Sequence, residues 1–229
     1  MQPRLKEIIL MISVCLPLIL SATIIQVPDD YQSIQVAVDA SNNGDTVLVA
    51  EGEYFENVRF HGREILLSSH YILDWDIEHI FNTIINGSES TDPDSGSCVL
   101  FVDQENENSI LCGFTLTEGT GTVYGFGNGD YPYREGGAVI MDGSSASVVY
   151  NLIISNDALW YPGATWLGGG GGGLSSMYGS PNISSNVFMY NTARYAAGLV
   201  LNYSAGVVRN NIIYANTGGE DFGCGGLMV

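Results

Sequence analysis

The sequence predicts an all-β protein that folds as a right-handed parallel β-helix, a solenoid with an N-terminal capping helix. The first observation behind this prediction is a pattern that recurs between residues 136 and 229. Each copy opens with two small residues and a short apolar run, at 136–140, 172–174, 197–201 and 225–229. The first three copies then reach an apolar stretch between two asparagines, at 151–156, 186–191 and 211–216. Because such a repeat can bury its apolar face only against neighbouring copies, the pattern indicates a stack of successive coils.

The second observation is an alternation of apolar and mixed residues inside each bracketed stretch, which predicts strands with one buried face. The segment 113–118 fits as an earlier, degenerate member. Two columns are predicted to face the core: Phe114, Leu152, Val187 and Ile212, followed by Leu116, Ile154, Met189 and Tyr214. A third column, ahead of the brackets, consists of Val148, Ile183 and Val208. Each copy therefore supplies three short strands separated by turns.

The third observation is the spacing of the copies, which is 35 residues from Asn151 to Asn186 and 25 from Asn186 to Asn211. This difference predicts insertions at one corner of the coil. The asparagines are expected to be turn residues, either in the left-handed αL conformation or with side chains that hydrogen-bond a neighbouring backbone. Leucine-rich repeats share this period, but their spaced leucines are absent. A calcium-binding β-roll would need aspartate-bearing glycine nonapeptides, and the glycine run at 168–173 has no aspartates.

The N-terminus predicts a secretory signal peptide over residues 1–22, because Arg4 and Lys6 precede an apolar run that ends at Ser21 and Ala22. The β-helix domain then spans residues 23–229, and the protein is expected to be secreted or displayed at the cell surface. No later segment is apolar enough over a sufficient length to predict a membrane span. The last copy stops before its bracketed strand, which predicts further coils or a sorting module beyond residue 229.

The elements ahead of the repeats follow from local signals. A helix is predicted over residues 31–43, with Asp30 or Ser33 capping its start and Gly44 its end. Its apolar face is predicted to cover the open end of the solenoid, and this face consists of Ile34, Ala37, Val38 and Ser41. A first coil is predicted from the runs 46–50, 57–60 and 64–68, separated by turn-like segments at 51–53 and 61–63. Further strands are predicted at 83–86, 99–102 and 109–116.

The charge of the chain restricts its partners. Seven lysines and arginines oppose 25 aspartates and glutamates, so the net charge is −18. This balance argues against nucleic acid and anionic membranes, which need basic patches. No cofactor is expected, although clustered carboxylates leave calcium binding possible. After the signal peptide, Cys98, Cys112 and Cys224 remain at spacings that match no zinc motif. Cys98 and Cys112 are predicted to be small buried hydrophobes, with a disulfide between them as the alternative.

Two groups of segments carry a resemblance to a known family. The opening segments VPDDYQSIQVAVD (27–39), GDTVLV (44–49) and EYFENV (53–58) resemble those of secreted pectin-lyase-like β-helix proteins. The segments ILCGFTLT (110–117) and GGAV (136–139) resemble the repeats of large bacterial surface proteins. The resemblance implies the fold and an extracellular location. It leaves the activity open, because the superfamily includes lyases, esterases, hydrolases and adhesins, and the catalytic motifs of its hydrolases are absent here.

Two insertions, at 120–135 and 157–171, directly precede glycine pairs and are therefore predicted to project from the same corner. They carry the predicted carbohydrate-binding residues, which are Tyr131, Tyr133, Trp160, Tyr161 and Trp166. Aromatic faces stack on the apolar faces of sugar rings, so the sequence favours a binding scaffold for a polysaccharide or a cell-surface glycan. The alternative is that these rings pack the long loops onto the solenoid.

Catalysis is the competing interpretation. Asp130, Glu135 and Asp157 lie at the inserted corner, and two carboxylates on stacked loops could serve as acid and base in a polysaccharide lyase or a glycoside hydrolase. His61, His70 and His79 are spaced nine residues apart, which fits neither a zinc site nor a triad. These histidines are therefore predicted to be surface or turn residues, and no metal site is expected.

Overall fold

The computed structural model describes residues 22–124, 133–158, 169–219 and 223–229. Strands dominate, and most of them pair in parallel within three large sheets. The predicted all-β class with parallel sheets is therefore confirmed. Among the described residues, no helix combines the length and the apolar character that crossing a membrane requires.

The three large sheets, A, B and C, each grow in chain order. Sheet A contains β1 (Ile24–Val27), β2 (Thr46–Val49), β5 (Leu66–Ser69), β9 (Ile110–Cys112), β14 (Ser147–Val149), β17 (Asn182–Ser184) and β21 (Val207–Arg209). Sheet B contains β3 (Gly52–Phe55), β6 (Thr83–Asn86), β10 (Thr115–Thr117), β15 (Leu152–Ile154), β18 (Val187–Met189) and β22 (Ile212–Tyr214). Sheet C contains β4 (Val58–Arg59), β8 (Val99–Phe101), β13 (Val139–Asp142), β16 (Leu174–Met177), β20 (Leu199–Asn202) and β24 (Leu227–Met228).

From β2 onwards the chain passes through sheets A, B and C in the same order six times, and each such passage is called a round. Every strand of a round pairs in parallel with the strand of the same sheet in the next round. Smaller strands lie between sheets B and C. They are an antiparallel group of β7 (Ser95–Gly96), β11 (Gly121–Tyr124) and β12 (Tyr133–Glu135), and a parallel pair of β19 (Thr192–Ala193) and β23 (Thr217–Gly218).

The first round differs from the prediction. The segment around Gly52, interpreted from the sequence as a turn, is strand β3 and pairs with β6 in sheet B. The predicted run 64–68 belongs to the second round instead, since β5 pairs with β2 in sheet A. Tyr54 of β3 packs against the core, so this short strand contributes an inward side chain despite its glycine and charged residues.

The phase of the sheet B strands also differs from the prediction, except in β10. Leu116, Ile153 and Phe188 are aligned with one another and are completely buried, and Ile213 follows them in the core. The predicted core residues on either side of these positions instead face outwards, and they are Leu152, Ile154, Val187, Met189, Ile212 and Tyr214. The column of Val148, Ile183 and Val208 packs in the core as predicted.

The asparagines explain this phase, because their side chains occupy the inward positions at the corners. Asn151 and Asn186 are buried, so in a strand of period two the next residue must face outwards. Phe114 is aligned with Asn151, whose Oδ1 accepts a hydrogen bond from the Phe114 amide at 3.0 Å. Phe114 therefore takes the place of an asparagine rather than of the residue that follows one. Its side chain is buried, as the side chains of Asn151 and Asn186 are.

The asparagines form two ladders that connect rounds. At the corner between sheets A and B, Asn186 Oδ1 accepts from the Asn151 amide at 3.0 Å, and Asn211 Oδ1 accepts from the Asn186 amide at 2.9 Å. The ladder between sheets B and C repeats this arrangement with Asn156, Asn191 and Asn216. Of the two predicted roles, hydrogen bonding is therefore the correct one. The αL conformation occurs one residue earlier, at Tyr150, Ser155, Ser185, Tyr190, Asn210 and Ala215.

Helix α1 (Ile34–Ala40) is shorter than predicted, and Ser33 is its N-cap. Its C-cap is Ser41 rather than Gly44. The predicted face is buried, and it packs beside β1, β2 and β4. The Glu56 carboxylate holds the start of α1 by accepting hydrogen bonds from the Ile34 and Gln35 amides at 2.9 and 2.8 Å. Two short helices that the sequence did not predict, α2 (Tyr71–Asp74) and α3 (Glu78–Asn82), lie between β5 and β6.

Candidate functional site

Each of the two insertions connects a strand of sheet B to a strand of sheet C, so the two share a corner, as predicted. Tyr133 is the predicted sugar-binding residue that lies within the described part of the chain, and it is half-buried in β12. The other predicted binding residues lie outside the described residues, namely Tyr131, Trp160, Tyr161 and Trp166. The candidate acid Asp130 also lies outside them. The stem of the first insertion is antiparallel, because β12 pairs with β11 and β11 with β7.

A cleft of about 320 Å³ lies beside these stems. The residues that line it include Ser88, Ser90, Thr120, Arg134 and Asp157. The guanidinium of the buried Arg134 donates to the carbonyl oxygens of Gly121 at 2.8 Å and Thr120 at 3.2 Å, and also to that of Pro93. Arg134 therefore ties β12 to the neighbouring loop, and Asp157 is an exposed residue of the cleft.

Glu135 follows Arg134 in β12 and therefore points to the opposite side of the strand. Its carboxylate is almost completely buried and accepts hydrogen bonds from Ser175 Oγ at 2.9 Å and from the Tyr195 hydroxyl at 3.4 Å. Burial raises the pKa of Glu135 to about 7, although the hydrogen bonds from Ser175, Gly170 and Tyr195 oppose that increase. The same burial, together with the nearby carboxylate, raises the pKa of Tyr195 above its ordinary range.

The two acidic candidates that lie within the described residues, Glu135 and Asp157, occupy different positions. Asp157 lines the cleft and Glu135 does not, although both belong to the inserted corner. Ser175 was not identified as a partner from the sequence, because it is an ordinary polar residue in β16. Its role depends on Glu135, which is 40 residues away in the chain.

Exposed aromatic side chains also occur away from the inserted corner. Tyr178 and Tyr203 stack with ring centroids 5.5 Å apart and planes inclined by 7°. These two residues follow β16 and β20 at the corner between sheets C and A. A second group lies at the corner between sheets A and B, where the exposed Trp75 and Tyr150 contact the buried Tyr71. The sequence analysis did not single out these groups, whose members come together only when successive rounds stack.

The cysteines and histidines do not form a metal site in the described part of the chain. No group of three His, Cys, Asp or Glu side chains is arranged there to hold a metal ion. Cys98 and Cys112 are buried free thiols rather than a disulfide, and burial raises their pKa values to about 12 and about 11. His61 lies in a turn with φ 52°, and His79 Nδ1 contacts Glu51 Oε1 at 2.9 Å.

No family model matches this sequence, and a search of curated proteins finds no significant match. Its function is therefore inferred from the residues and from their arrangement.

Proposed function

We propose that this protein is an extracellular right-handed parallel β-helix of the pectin-lyase-like type that binds carbohydrate. The six rounds with parallel register and the two asparagine ladders support the stacked-coil architecture. The right-handed sense follows from the general preference of crossovers between parallel strands. The apolar run and small-residue exit of residues 1–22 support export to the medium or the cell surface.

The observation that carries the binding proposal is the position of the cleft beside the inserted corner. The Ser88, Ser90 and Thr120 hydroxyls and the Asp157 carboxylate are groups that hydrogen-bond sugar hydroxyls. The two insertions that flank this corner contribute the aromatic residues, including Trp160 and Trp166, whose faces suit the apolar faces of sugar rings. A polysaccharide or a cell-surface glycan is the ligand class that needs both kinds of group.

Affinity electrophoresis against neutral and acidic polysaccharides tests the proposal. We expect Asp157→Asn and Trp160→Ala each to weaken retention about tenfold, which corresponds to the loss of one good contact. Tyr203→Ala is the matched control, because it removes an exposed aromatic ring at a different corner. The proposal is wrong if both site variants retain full binding, or if Trp160→Ala lowers the melting temperature strongly and leaves retention unchanged.

One observation favours the catalytic alternative, a polysaccharide lyase or glycoside hydrolase. A carboxyl group with a pKa of about 7, as in Glu135, is suited to donate a proton at neutral pH, and Asp157 is a second acidic group at the same corner. Catalysis is the second candidate because the Glu135 side chain is buried and does not line the cleft. Release of reducing ends or of unsaturated products distinguishes an enzyme from a scaffold. Turnover that disappears in both Glu135→Gln and Asp157→Asn would establish catalysis, whereas binding without turnover supports the scaffold.

A further inference from the structure

The segment from Tyr71 to Asn82, which contains α2 and α3 and is called the α2–α3 segment, exposes large apolar side chains. Leu73, Trp75 and Ile77 are 62, 63 and 57% exposed, and Phe81 is nearly half exposed. The segment is anchored on sheet B, where Thr115 Oγ1 donates to the Ile80 carbonyl at 2.8 Å. It lies at the corner between sheets A and B and is therefore distinct from the proposed carbohydrate site. Clustered apolar exposure of this kind is characteristic of an interaction surface.

Trp75 is held in its outward position by its neighbours. Its φ of 65° places it in the αL region, which is unfavourable for a bulky residue. The indole meets the Tyr71 ring edge-to-face at 5.3 Å and the Tyr150 ring at 6.0 Å. Tyr150 belongs to the second round after that of Tyr71, and Gly113 lies in the round between them. A Cβ atom on Gly113 would lie only 2.9 Å from the Cβ atom of Tyr71, so a larger residue there would crowd the tyrosine. A tryptophan fixed before binding loses little conformational entropy, which is typical of an anchor residue in a protein interface.

Acidic residues alternate with the apolar ones. Asp74, Asp76 and Glu78 are all exposed; the two aspartates separate Leu73, Trp75 and Ile77 along the chain, and Glu78 follows them. Local hydrogen bonds hold two of these carboxylates, because Asp74 Oδ1 accepts from the Asp76 amide at 2.9 Å and Asp76 Oδ1 accepts from the Glu78 amide at 3.0 Å. The apolar anchors therefore have a negative rim, and a complementary surface needs a positive one.

We infer that the α2–α3 segment docks a protein partner whose surface offers an apolar pocket for Trp75 surrounded by lysine or arginine residues. This inference goes beyond carbohydrate binding, since the aliphatic side chains of Leu73 and Ile77 are not sugar-stacking groups. A second copy of the chain would bring together two molecules that each carry a net charge of −18. An anionic membrane surface would repel the same rim. A basic protein surface satisfies both the apolar anchors and the charges.

The test measures binding of the full chain to a fluorescent amphipathic peptide with a leucine face rimmed by lysines, and to its counterpart with glutamates in place of the lysines. We expect the lysine peptide to bind more tightly than the glutamate peptide, and its affinity to fall as salt is raised. Trp75→Ala should weaken binding of the lysine peptide by at least about tenfold. Asp76→Asn should weaken it less and reduce the salt dependence. Tyr203→Ala, the exposed aromatic control, should leave it unchanged.

Three results would overturn the inference. The first is equal affinity of Trp75→Ala and the unsubstituted protein for the lysine peptide. The second is an equal loss in Tyr203→Ala, which would mean that the peptide binds a general acidic surface. The third is that the segment binds something other than a basic protein. Self-association in sedimentation equilibrium would identify a second copy of the chain, and flotation with phosphatidylcholine vesicles would identify a membrane, provided that Trp75→Ala abolishes the effect. Circular dichroism of each variant verifies that the fold is intact, and Leu73→Ser provides a second substitution if Trp75→Ala does not fold.

Discussion

Glu135 is a buried carboxyl group that links three successive rounds, from β12 to Ser175 in β16 and to Tyr195 before β20. Its pKa is raised from 4.5 to about 7 in the folded protein, chiefly by burial. Below pH 4.5 the group is neutral in both the folded and the unfolded chain. As the pH rises from 4.5 to 7, the unfolded chain loses this proton first, so the folded state becomes progressively less stable relative to it.

The first prediction concerns this pH dependence. The difference between the two pKa values corresponds to about 3 kcal/mol of stability that is lost between pH 4.5 and 7. Glu135→Gln keeps the shape and a hydrogen-bonding side chain but cannot ionise. The free energy of unfolding of this variant, relative to that of the unsubstituted protein, should therefore increase as the pH rises. Chemical unfolding of both proteins at pH 5 and pH 8 measures this. A constant difference between the two proteins across that range would show that folding does not change the pKa of Glu135.

The strands of sheet B show how one corner residue determines which face of an element is buried. In β18 the Phe188 side chain is completely buried, whereas Val187 and Met189 lie on the outer face. Asn186 sets this phase, since its side chain occupies the inward corner position and hydrogen-bonds the Val148 carbonyl at 2.8 Å. A shift of one residue would exchange the two faces of the strand.

The second prediction tests that phase. Phe188→Ala should lower the free energy of unfolding by about 3–5 kcal/mol, because it leaves a cavity in the core. Met189→Ala, one residue away in the same strand, should lower it by less than about 1 kcal/mol, because the side chain packs on an outer face. Urea unfolding of the two variants provides the comparison. The opposite order of stabilities would show that the strand has the phase originally predicted from the sequence.

Across the whole molecule, the asparagine ladders connect successive rounds in addition to backbone pairing and core packing. Asn186 is central in one ladder. Its Oδ1 accepts from the backbone and side-chain nitrogens of Asn151, and its Nδ2 donates to Val148 O and to Asn211 Oδ1. Because these groups are buried, water cannot replace the asparagine without opening the corner.

The third prediction is that Asn186→Ala lowers the free energy of unfolding by about 2–4 kcal/mol, since several buried groups lose a partner. Hydrogen exchange should accelerate at the Asn151 amide and spread to the adjacent rounds. Asn182→Ala is the matched control, because Asn182 lies in β17 of the same round but does not belong to either ladder. An equal effect of the two substitutions, or exchange that changes only at position 151, would mean that the ladder does not couple the rounds.

Much of the architecture could be predicted from the sequence because it depends on chemistry that is repeated or local. The repeated asparagines indicated the corners of successive rounds, and hydrogen bonding was one of the two roles that their amide groups suggested. Ser33 was one of the two N-caps predicted for α1, and the period of the helix identified its buried face. Cys98 and Cys112 flank strand-like runs, and this position was enough to predict their burial.

The tertiary structure decided what depends on residues far apart in the chain. An alternating strand has two faces, and which of them is buried follows from the corner at Asn151 and Asn186 rather than from the hydrophobicity of the strand. The raised pKa of Glu135 requires Ser175, Tyr195 and the surrounding rounds to exclude water. Trp75 gains its contact with Tyr150 only because two rounds stack across Gly113. Sequence patterns record which groups a chain contains, whereas desolvation and side-chain contacts arise only when distant segments meet.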